Sequence, residues 1–354
     1  MDLIEIENHL MKLKSEDKKL IGIFPHQLIP LELIHAFNVN PVVLSLAAND
    51  EICSLGTEYL TPATCPFARG CVGFLDSEHK IYSNLDGLIG LNYCNGDLCA
   101  VDYIERYFKI PQIQFAFPTV LSENSRKFFL NQVYKLKTNL ENFFKIQVSN
   151  GDLIKSIDLY NKLRLKFRNI QNLIGMGSNF QNLMHDLYLL GPEYCYNRLE
   201  ELEENNTIIK NSGVNTLFLG SFVGLGDKIL NIIEDCDIKI VKNQSESILF
   251  FYDDVNKDNP LENLADYYFQ NNFTFRMIND DQKINKIIKE YEKGTFKAVI
   301  FHVLKFCDIY VAELSKFKTI MAENDIPTLI LERDYAESLG QLSTRIEAFR
   351  EILS

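Results

Sequence analysis

Apolar runs alternate with amphipathic stretches in the N-terminal part of the chain. Short runs rich in Val, Ile and Leu predict buried strands, and apolar positions at helical spacing predict helices. The predicted strands are KLIGIF (19–24), PVVLSLA (41–47), DGLIGLNY (86–93) and IPQIQFAF (110–117), with a helix at PLELIHAF (30–37). Strands separated by helices indicate a parallel sheet with crossover connections.

The middle of the chain shows helical spacing without strand-like runs. One helix is predicted in 123–147 from Phe129, Val133, Leu136, Leu140 and Phe143. A second helix is predicted after Asn150-Gly151, and residues 178–206 predict two more, separated at Gly191-Pro192.

A second alternating region begins near residue 214. Its predicted strands are VNTLFLG (214–220), IKIV (238–241), KAVIFHVL (297–304) and IPTLILE (326–332). A helix is predicted at GDKILNIIED (226–235), and the last helix carries Leu342, Ile346, Phe349 and Leu353 on one face. Strands again alternate with helices, so a second parallel sheet is expected, although no internal repeat relates the two regions.

We therefore predict an α/β fold with two doubly wound parallel-sheet lobes, flavodoxin- or Rossmann-like, and a helical middle segment. The expected domains are an N-terminal lobe (1–122), a helical segment (123–212) and a C-terminal lobe (213–354). A chain of 354 residues is long enough for two cores. A cleft between such lobes is a natural ligand site.

Charge and the N-terminal sequence narrow the range of functions. The formal net charge of −12 and the lack of a Lys/Arg run argue against a nucleic-acid surface. The start MDLIEIENHLMKLKSED lacks the features of a signal peptide, and no apolar stretch is long enough for a membrane span. We expect a cytoplasmic location, where the eight cysteines are reduced thiols.

Three cysteines follow predicted strands or open a predicted helix: Cys65 in CPFARG, Cys94 in GLNYCNG and Cys307 in LKFCD. Ligands of open α/β sheets bind beyond the carboxyl ends of the strands. Three thiolates that converge there are suited to a metal ion or an iron–sulfur cluster. Their separations fit no CxxC motif, and burial as a small hydrophobic residue is the alternative for any one of them.

The remaining cysteines are weaker candidates for ligands. Cys71 and Cys99 lie close in sequence to two of the three thiols, and packing is favoured over ligation for both. Cys53, Cys195 and Cys236 are interpreted as structural.

Other candidate groups point less clearly to chemistry. GSFVGLGDK (220–228) departs from a Walker A loop at Asp227 and Lys228, which favours a tight strand-to-helix turn over a phosphate site. Among the six histidines, His26 alone is placed at the cleft, and His302 is interpreted as a satisfied core residue. Arg69 either offsets thiolate or substrate charge or pairs with a surface carboxylate.

Four segments together resemble a known family: CPFARGCVGFL, the strand end at Cys94, VIFHVLKFCD, and IPTLILERDYAESLGQLSTRIEAFREIL. They are similar to the 2-hydroxyacyl-CoA dehydratase D-component family, which includes the smaller subunits of 2-hydroxyglutaryl-CoA dehydratase and benzoyl-CoA reductase. The resemblance extends over residues 20–354 and is most specific in the closing segment, at Gly340, Gln341, Thr344, Arg345 and Glu347.

The resemblance implies an anaerobic, cytoplasmic iron–sulfur enzyme, a lyase. A [4Fe-4S] cluster would be bound by Cys65, Cys94 and Cys307, with a non-cysteine group at the fourth iron position. The implied partners are an acyl-CoA substrate, a related larger subunit or a second copy of the chain, and an ATP-hydrolysing iron–sulfur activator. The implied reaction is a radical elimination of water from a 2-hydroxyacyl-CoA through a ketyl, after one-electron activation. No acid or base residue is assigned.

The sequence departs from the family at three places. KNQSESIL (242–249) stands where relatives have a DDLCTG-like stretch, and Glu246 lies near the missing cysteine. NFTFRM (272–277) replaces a Pro-Cys-Pro, and Asn95 replaces the Asp after Cys94. Glu246 is interpreted as a surface carboxylate in preference to a cluster or substrate contact.

These departures leave two alternatives open. One is an ATP-dependent low-potential reductase, similar to benzoyl-CoA reductase or carrying an [8Fe-9S] double-cubane cluster that recruits Cys71 and Cys99. The other is a non-catalytic electron-transfer subunit.

Overall fold

The computed structural model of the protein describes residues 3–26, 28–204, 213–248, 253–271, 281–335 and 339–353. These residues include eight strands: β1 (Lys19–Ile23), β2 (Val39–Val43), β3 (Gly87–Leu91), β4 (Gln112–Phe115), β5 (Val214–Gly220), β6 (Ile238–Ser245), β7 (Ala298–Leu304) and β8 (Thr328–Arg333). They form two four-stranded parallel sheets, ordered β2-β1-β3-β4 and β6-β5-β7-β8.

Fifteen helices are present in the same described residues: α1 (Leu3–Ser15), α2 (Leu31–His35), α3 (Asp50–Thr57), α4 (Pro66–Asp76), α5 (Lys80–Ser83), α6 (Asn95–Phe108), α7 (Glu123–Phe144), α8 (Asn150–Ile174), α9 (Ser178–Leu190), α10 (Pro192–Glu204), α11 (Ile229–Asp235), α12 (Pro260–Gln270), α13 (Asp281–Glu292), α14 (Asp308–Glu323) and α15 (Leu339–Ile352). The predicted α/β class with two parallel sheets is confirmed. No described helix is long and apolar enough to cross a membrane.

The strands are the predicted apolar runs, with changed limits. β2, β3 and β7 are buried along their whole length, as expected of parallel strands covered by helices on both faces. β6 continues to Ser245, beyond the predicted 241, with a register shift opposite Thr216 and Leu217 of β5. The helix predicted from 226 begins only at Ile229, because Gly226 has a left-handed φ of 94° and Lys228 caps the helix in a non-helical conformation.

Both sheets have the same strand order, a similarity that no repeat in the sequence reveals. In each sheet, the second strand pairs with one edge of the first strand. The chain then crosses over, so that the third strand pairs with the other edge of the first. This reversal creates a crevice at the carboxyl ends of β1 and β3 in the first lobe, and of β5 and β7 in the second lobe. We use first lobe for the elements up to β4 and second lobe for those from β5 onward.

The predicted middle helices are present as α7 to α10. α7 packs on β4 and α12, α8 on α2, α10 and α12, and α9 on β2. A buried ion pair between Glu32 and Arg164 links α2 to α8, and the Tyr268 hydroxyl of α12 donates to Glu32 Oε2 over 2.8 Å. The helices therefore contact elements of both lobes, and the domain limits at 122 and 212 stay a prediction.

The two lobes also meet through their backbones. Leu46 and Leu225 form a parallel bridge, in which the Ala47 N–H donates to Leu225 O over 2.9 Å. A Cβ on Gly224 would lie 2.6 Å from the Ala47 nitrogen, so only glycine permits this approach. The glycine-rich segment 220–228 thus has a structural role as an inter-lobe turn.

Candidate functional site

The three predicted thiols occupy equivalent positions in the fold. Cys65, Cys94 and Cys307 are the N-cap residues of α4, α6 and α14. All three line one cavity of about 260 Å³. Cys94 and Cys307 follow β3 and β7, so the cavity lies where the crevices of the two sheets face each other.

A helix N-terminus favours a thiolate because its backbone N–H groups carry partial positive charge. The Asp97 N–H donates to Cys94 Sγ over 3.4 Å. The backbone N–H groups of Phe67 and Tyr310 likewise favour the thiolates of Cys65 and Cys307, although larger effects raise the pKa of Cys65 overall. Three helix ends therefore direct positive potential at one small volume.

The thiols interact with one another across the lobes. Cys65 donates to Cys307, which raises the pKa of Cys65, already raised by burial, and lowers the pKa of Cys307. Burial raises the pKa of Cys94, and the charges of Asp97 and Cys307 add to this effect. The three thiols are therefore close enough to affect one another's ionisation.

The three thiols do not form a site for one metal ion in this structure. Among the described residues, no set of three or more His, Cys, Asp or Glu side chains is arranged to hold a single metal ion. An iron–sulfur cluster takes one thiolate at each of several irons, so its ligands stand further apart than those of one ion. Gly96 also lines the cavity, and a Cβ there would make ordinary van der Waals contacts, 3.7 Å from both Cys65 Cβ and Cys94 Sγ.

The other cysteines follow the sequence interpretation at Cys71, which is packed in the core, but not at Cys99. Cys99 is exposed and lines the cavity, whereas Cys71 is buried in the core of the first lobe and does not line it. Cys53 and Cys195 are buried, with Sγ donating to the carbonyls of Pro66 and Leu183, and Cys236 is the half-buried C-cap of α11. The additional-ligand hypothesis therefore retains Cys99 but has no support at Cys71.

The interpretation of Glu246 as a surface carboxylate is wrong. Glu246 lines the cavity and is only 6% exposed. Tyr93 and Tyr310 both donate their hydroxyls to Glu246 Oε1 over 2.5 Å. The backbone N–H of Glu246 donates to the carbonyl of Gly220 at the end of β5, which fixes the residue at the mouth of the second sheet.

His26 lies at the same wall, as predicted for the only histidine at the cleft. Its Nε2 bonds to Asp97 Oδ2, and its ring stacks on Tyr93 with centroids 4.0 Å apart. Burial opposes the charged form, but Asp97 and Glu246 outweigh it and raise the pKa of His26 to about 10. His26 is therefore a buried cation between two carboxylates.

Two further candidates lie outside the cavity lining. His302 is a satisfied core residue, as expected, because the Arg333 Nε donates to its Nε2 over 2.9 Å. Arg69 is buried, and its Nε donates to the carbonyl of Thr64 over 3.1 Å, beside Cys65. It therefore supports the loop of that cysteine and does not face the cavity.

Sequence reasoning missed Asp97, Tyr93 and Tyr310, although a spacing rule exists. Asp97 and Tyr310 stand three residues after Cys94 and Cys307, so the first helical turn returns each toward its capping cysteine. Tyr93 immediately precedes Cys94 at the end of the third strand run. NFTFRM lies outside the described residues.

Comparison with known proteins agrees with the resemblance given by the motifs. A comparison with curated proteins found no match. The sequence model of the family described as 2-hydroxyglutaryl-CoA dehydratase, D-component, matches residues 28–353. This match includes all three cavity cysteines and both sheets except β1. The chain therefore belongs to the 2-hydroxyglutaryl-CoA dehydratase D-component family.

Proposed function

We propose that this chain is the iron–sulfur subunit of a 2-hydroxyacyl-CoA dehydratase-like lyase. The proposed reaction is the radical elimination of water from a 2-hydroxyacyl-CoA after one-electron activation. Membership of the D-component family supports the class of reaction. The residues of the cavity support the chemistry, as follows.

One observation carries the proposal: three cysteines cap three helices around a single cavity formed by both lobes. We propose that Cys65, Cys94 and Cys307 hold a [4Fe-4S] cluster through their thiolates. The helix N-termini offset the negative charge of such a group. When bound, the cluster supplies low-potential one-electron chemistry next to the substrate.

The other lining residues define what the cavity offers a substrate. Phe67, Phe222, Leu304 and Ile309 supply apolar walls that limit water around the reacting groups. Glu246, held by two tyrosine hydroxyls, and the cationic His26 supply the polar wall opposite them. This combination of apolar walls with a few fixed polar groups is typical of a small-molecule site.

The proposed partners follow from the family and the reaction. A D-component implies a further component, for which we propose a related larger subunit or a second copy of this chain. We propose an ATP-hydrolysing iron–sulfur activator as the source of the electron.

Iron and acid-labile sulfide per chain test the proposal, measured with EPR and visible spectra on protein purified or reconstituted without oxygen. We expect about four irons per chain and a broad thiolate-to-iron absorbance. Cys65→Ser, Cys94→Ser and Cys307→Ser should each lose most of the iron, whereas Cys236→Ser should keep it.

Cys99→Ser separates the single cluster from a larger one. We expect unchanged iron, because three thiols suffice and Cys71 does not line the cavity. Roughly eight irons per chain, falling in Cys99→Ser, would favour a double cubane. Full iron content in the Cys307→Ser variant would contradict the ligand assignment, and no iron after reconstitution would contradict the proposed cofactor.

A further inference from the structure

One ring nitrogen of His26 has no hydrogen-bond partner among the described residues. The residue is 8% exposed, Nε2 is held by Asp97, and Nδ1 is unsatisfied. A buried polar atom without a partner is destabilising, so such atoms in native proteins usually meet water or a ligand. Because His26 lines the cavity, a ligand atom can supply the missing partner.

Two contacts fix the ring and point Nδ1 at Glu246, another residue of the cavity lining. Asp97 anchors Nε2, and the ring lies on Tyr93 at an interplanar angle of 15°. Nδ1 then faces Glu246 Oε2 over 3.6 Å, which is too long for a hydrogen bond. An oxygen atom of a bound molecule that bonds to Nδ1 would therefore replace only this long contact to Glu246.

The charges around the ring define what kind of atom is accepted. Asp97 and Glu246 lie on opposite sides of the imidazole and stabilise its protonated form. A protonated imidazole has two N–H donors and no acceptor, so Nδ1 selects an acceptor. A thioester carbonyl oxygen only accepts hydrogen bonds, whereas a substrate hydroxyl is also a donor and needs an acceptor of its own. The carbonyl is therefore the better match.

We propose that the Nδ1–H of His26 donates a hydrogen bond to the thioester carbonyl oxygen of the acyl-CoA substrate. This inference rests on the proposed function, since it takes the substrate from there. A cationic donor fixed in a water-poor cavity lowers the energy of negative charge on the carbonyl oxygen. His26 is then a catalytic residue, and Asp97 is a positioning residue that fixes its ring.

The bond is tested by vibrational difference spectroscopy of bound acyl-CoA. The probes are 2-hydroxyglutaryl-CoA and 2-hydroxybutyryl-CoA with carbon-13 at the thioester carbonyl, added to anaerobically reconstituted protein. We expect the carbonyl stretch to move to lower wavenumber on binding to the wild type. The displacement should shrink in His26→Gln and disappear in His26→Phe, with dissociation constants raised roughly 10- to 100-fold.

His79→Asn is the matched control. His79 caps α5 away from the cavity, and asparagine preserves a capping side chain, so the carbonyl displacement should be unchanged. Circular dichroism checks the fold of each variant, and His26→Gln keeps the test valid if His26→Phe fails to fold.

The outcomes separate this inference from the proposed function. If both acyl-CoAs bind but the carbonyl displacement is equal in wild type and His26→Gln, the inference is overturned and the proposed function stands. If the displacement appears at the hydroxyl C–O instead, His26 serves the leaving group and the inference is again overturned. If no acyl-CoA binds to cluster-loaded protein, the proposed function fails with it.

Discussion

Arg69 of the first lobe pairs with Asp334 of the second, with Nη2 and Oδ2 3.3 Å apart. The same guanidinium donates through Nε to Thr64 O, next to Cys65. One arginine thus ties the cysteine loop of the first lobe to the end of β8. From the sequence, Arg69 was expected either to offset thiolate or substrate charge or to pair with a surface carboxylate. Neither expectation includes its contact with the Cys65 loop.

Breaking this pair should loosen the Cys65 loop. Arg69 is buried and Asp334 is only partly exposed, so we expect Arg69→Gln to cost roughly 1–3 kcal/mol in unfolding free energy. Less iron should be retained during anaerobic gel filtration in Arg69→Gln and in Asp334→Asn than in the wild type. The double variant should lose no more iron than either single variant. Arg350→Gln, which breaks an exposed pair with Asp237, is the control. Additive losses in the double variant would contradict the coupling.

Gly224→Ala should destabilise the contact between the lobes. The new Cβ would lie 2.6 Å from the Ala47 nitrogen and 2.9 Å from its Cα, so one backbone must move, at a cost of roughly 1–3 kcal/mol. Gly226→Ala is the comparison, because it meets no atom within 4 Å and adds only the strain of a positive φ. Urea unfolding measures both. A smaller loss in Gly224→Ala than in Gly226→Ala would exclude a tight inter-lobe approach.

Removing one charge of the buried Glu32–Arg164 pair should strongly decrease the free energy of unfolding. Glu32 is fully buried, and Arg164 also lies over the Tyr267 ring at 4.4 Å. Glu32→Gln leaves a buried guanidinium without its carboxylate, for which we expect a loss of about 3–5 kcal/mol. The double variant Glu32→Leu/Arg164→Met should lose less, because neither charge is left alone. Chemical denaturation of the wild type, the single variant and the double variant measures these free energies of unfolding. Equal losses in the two variants would argue against an effect of an unpaired buried charge.

His185 should make the protein less stable in mild acid. Burial lowers its pKa to about 3, while the unfolded chain has the ordinary value of 6.5. Above pH 6.5 the His185 imidazole is neutral in both the folded and the unfolded protein. As the pH falls from 6.5 toward 3, the imidazole of the unfolded chain is protonated first, so the free energy of unfolding decreases. We expect the advantage of wild type over His185→Gln to shrink by about 2 kcal/mol between pH 7 and pH 5.

Urea unfolding at both pH values measures this difference. The comparison with His185→Gln also removes the contribution of Asp186, whose pKa burial raises to about 6 and whose effect has the opposite sign. A constant difference between the two proteins would show that His185 titrates normally in the folded state.

Local sequence patterns determined the sheets and the positions of the thiols. Apolar runs such as AVIFHVL need no tertiary information to be identified as buried parallel strands. Because ligands of such sheets bind beyond the strand ends, the order of the elements alone places Cys94 and Cys307 at the cleft. The predicted start of the second middle helix, after Asn150-Gly151, was also close, since α8 begins at Asn150 with Ser149 as its cap.

The polar wall could not be predicted in the same way. Carboxylates are usually exposed, so Glu246 was assigned to the surface. Its burial depends on the hydroxyl of Tyr310 in the same lobe and on that of Tyr93 in the first lobe, which reaches Glu246 only after the lobes pack. No local pattern encodes a partner so distant in sequence, and the same holds for Arg69 with Asp334.

The division of the thiols between the lobes has a consequence for biosynthesis. Cys65 and Cys94 leave the ribosome with the first sheet, but Cys307 follows only after β7, close to the end of the chain. A group held by all three sulfurs cannot be completed on a nascent first lobe. Its insertion therefore has to wait until β7 and Cys307 have been synthesised, and a chain truncated before β7 should not acquire it.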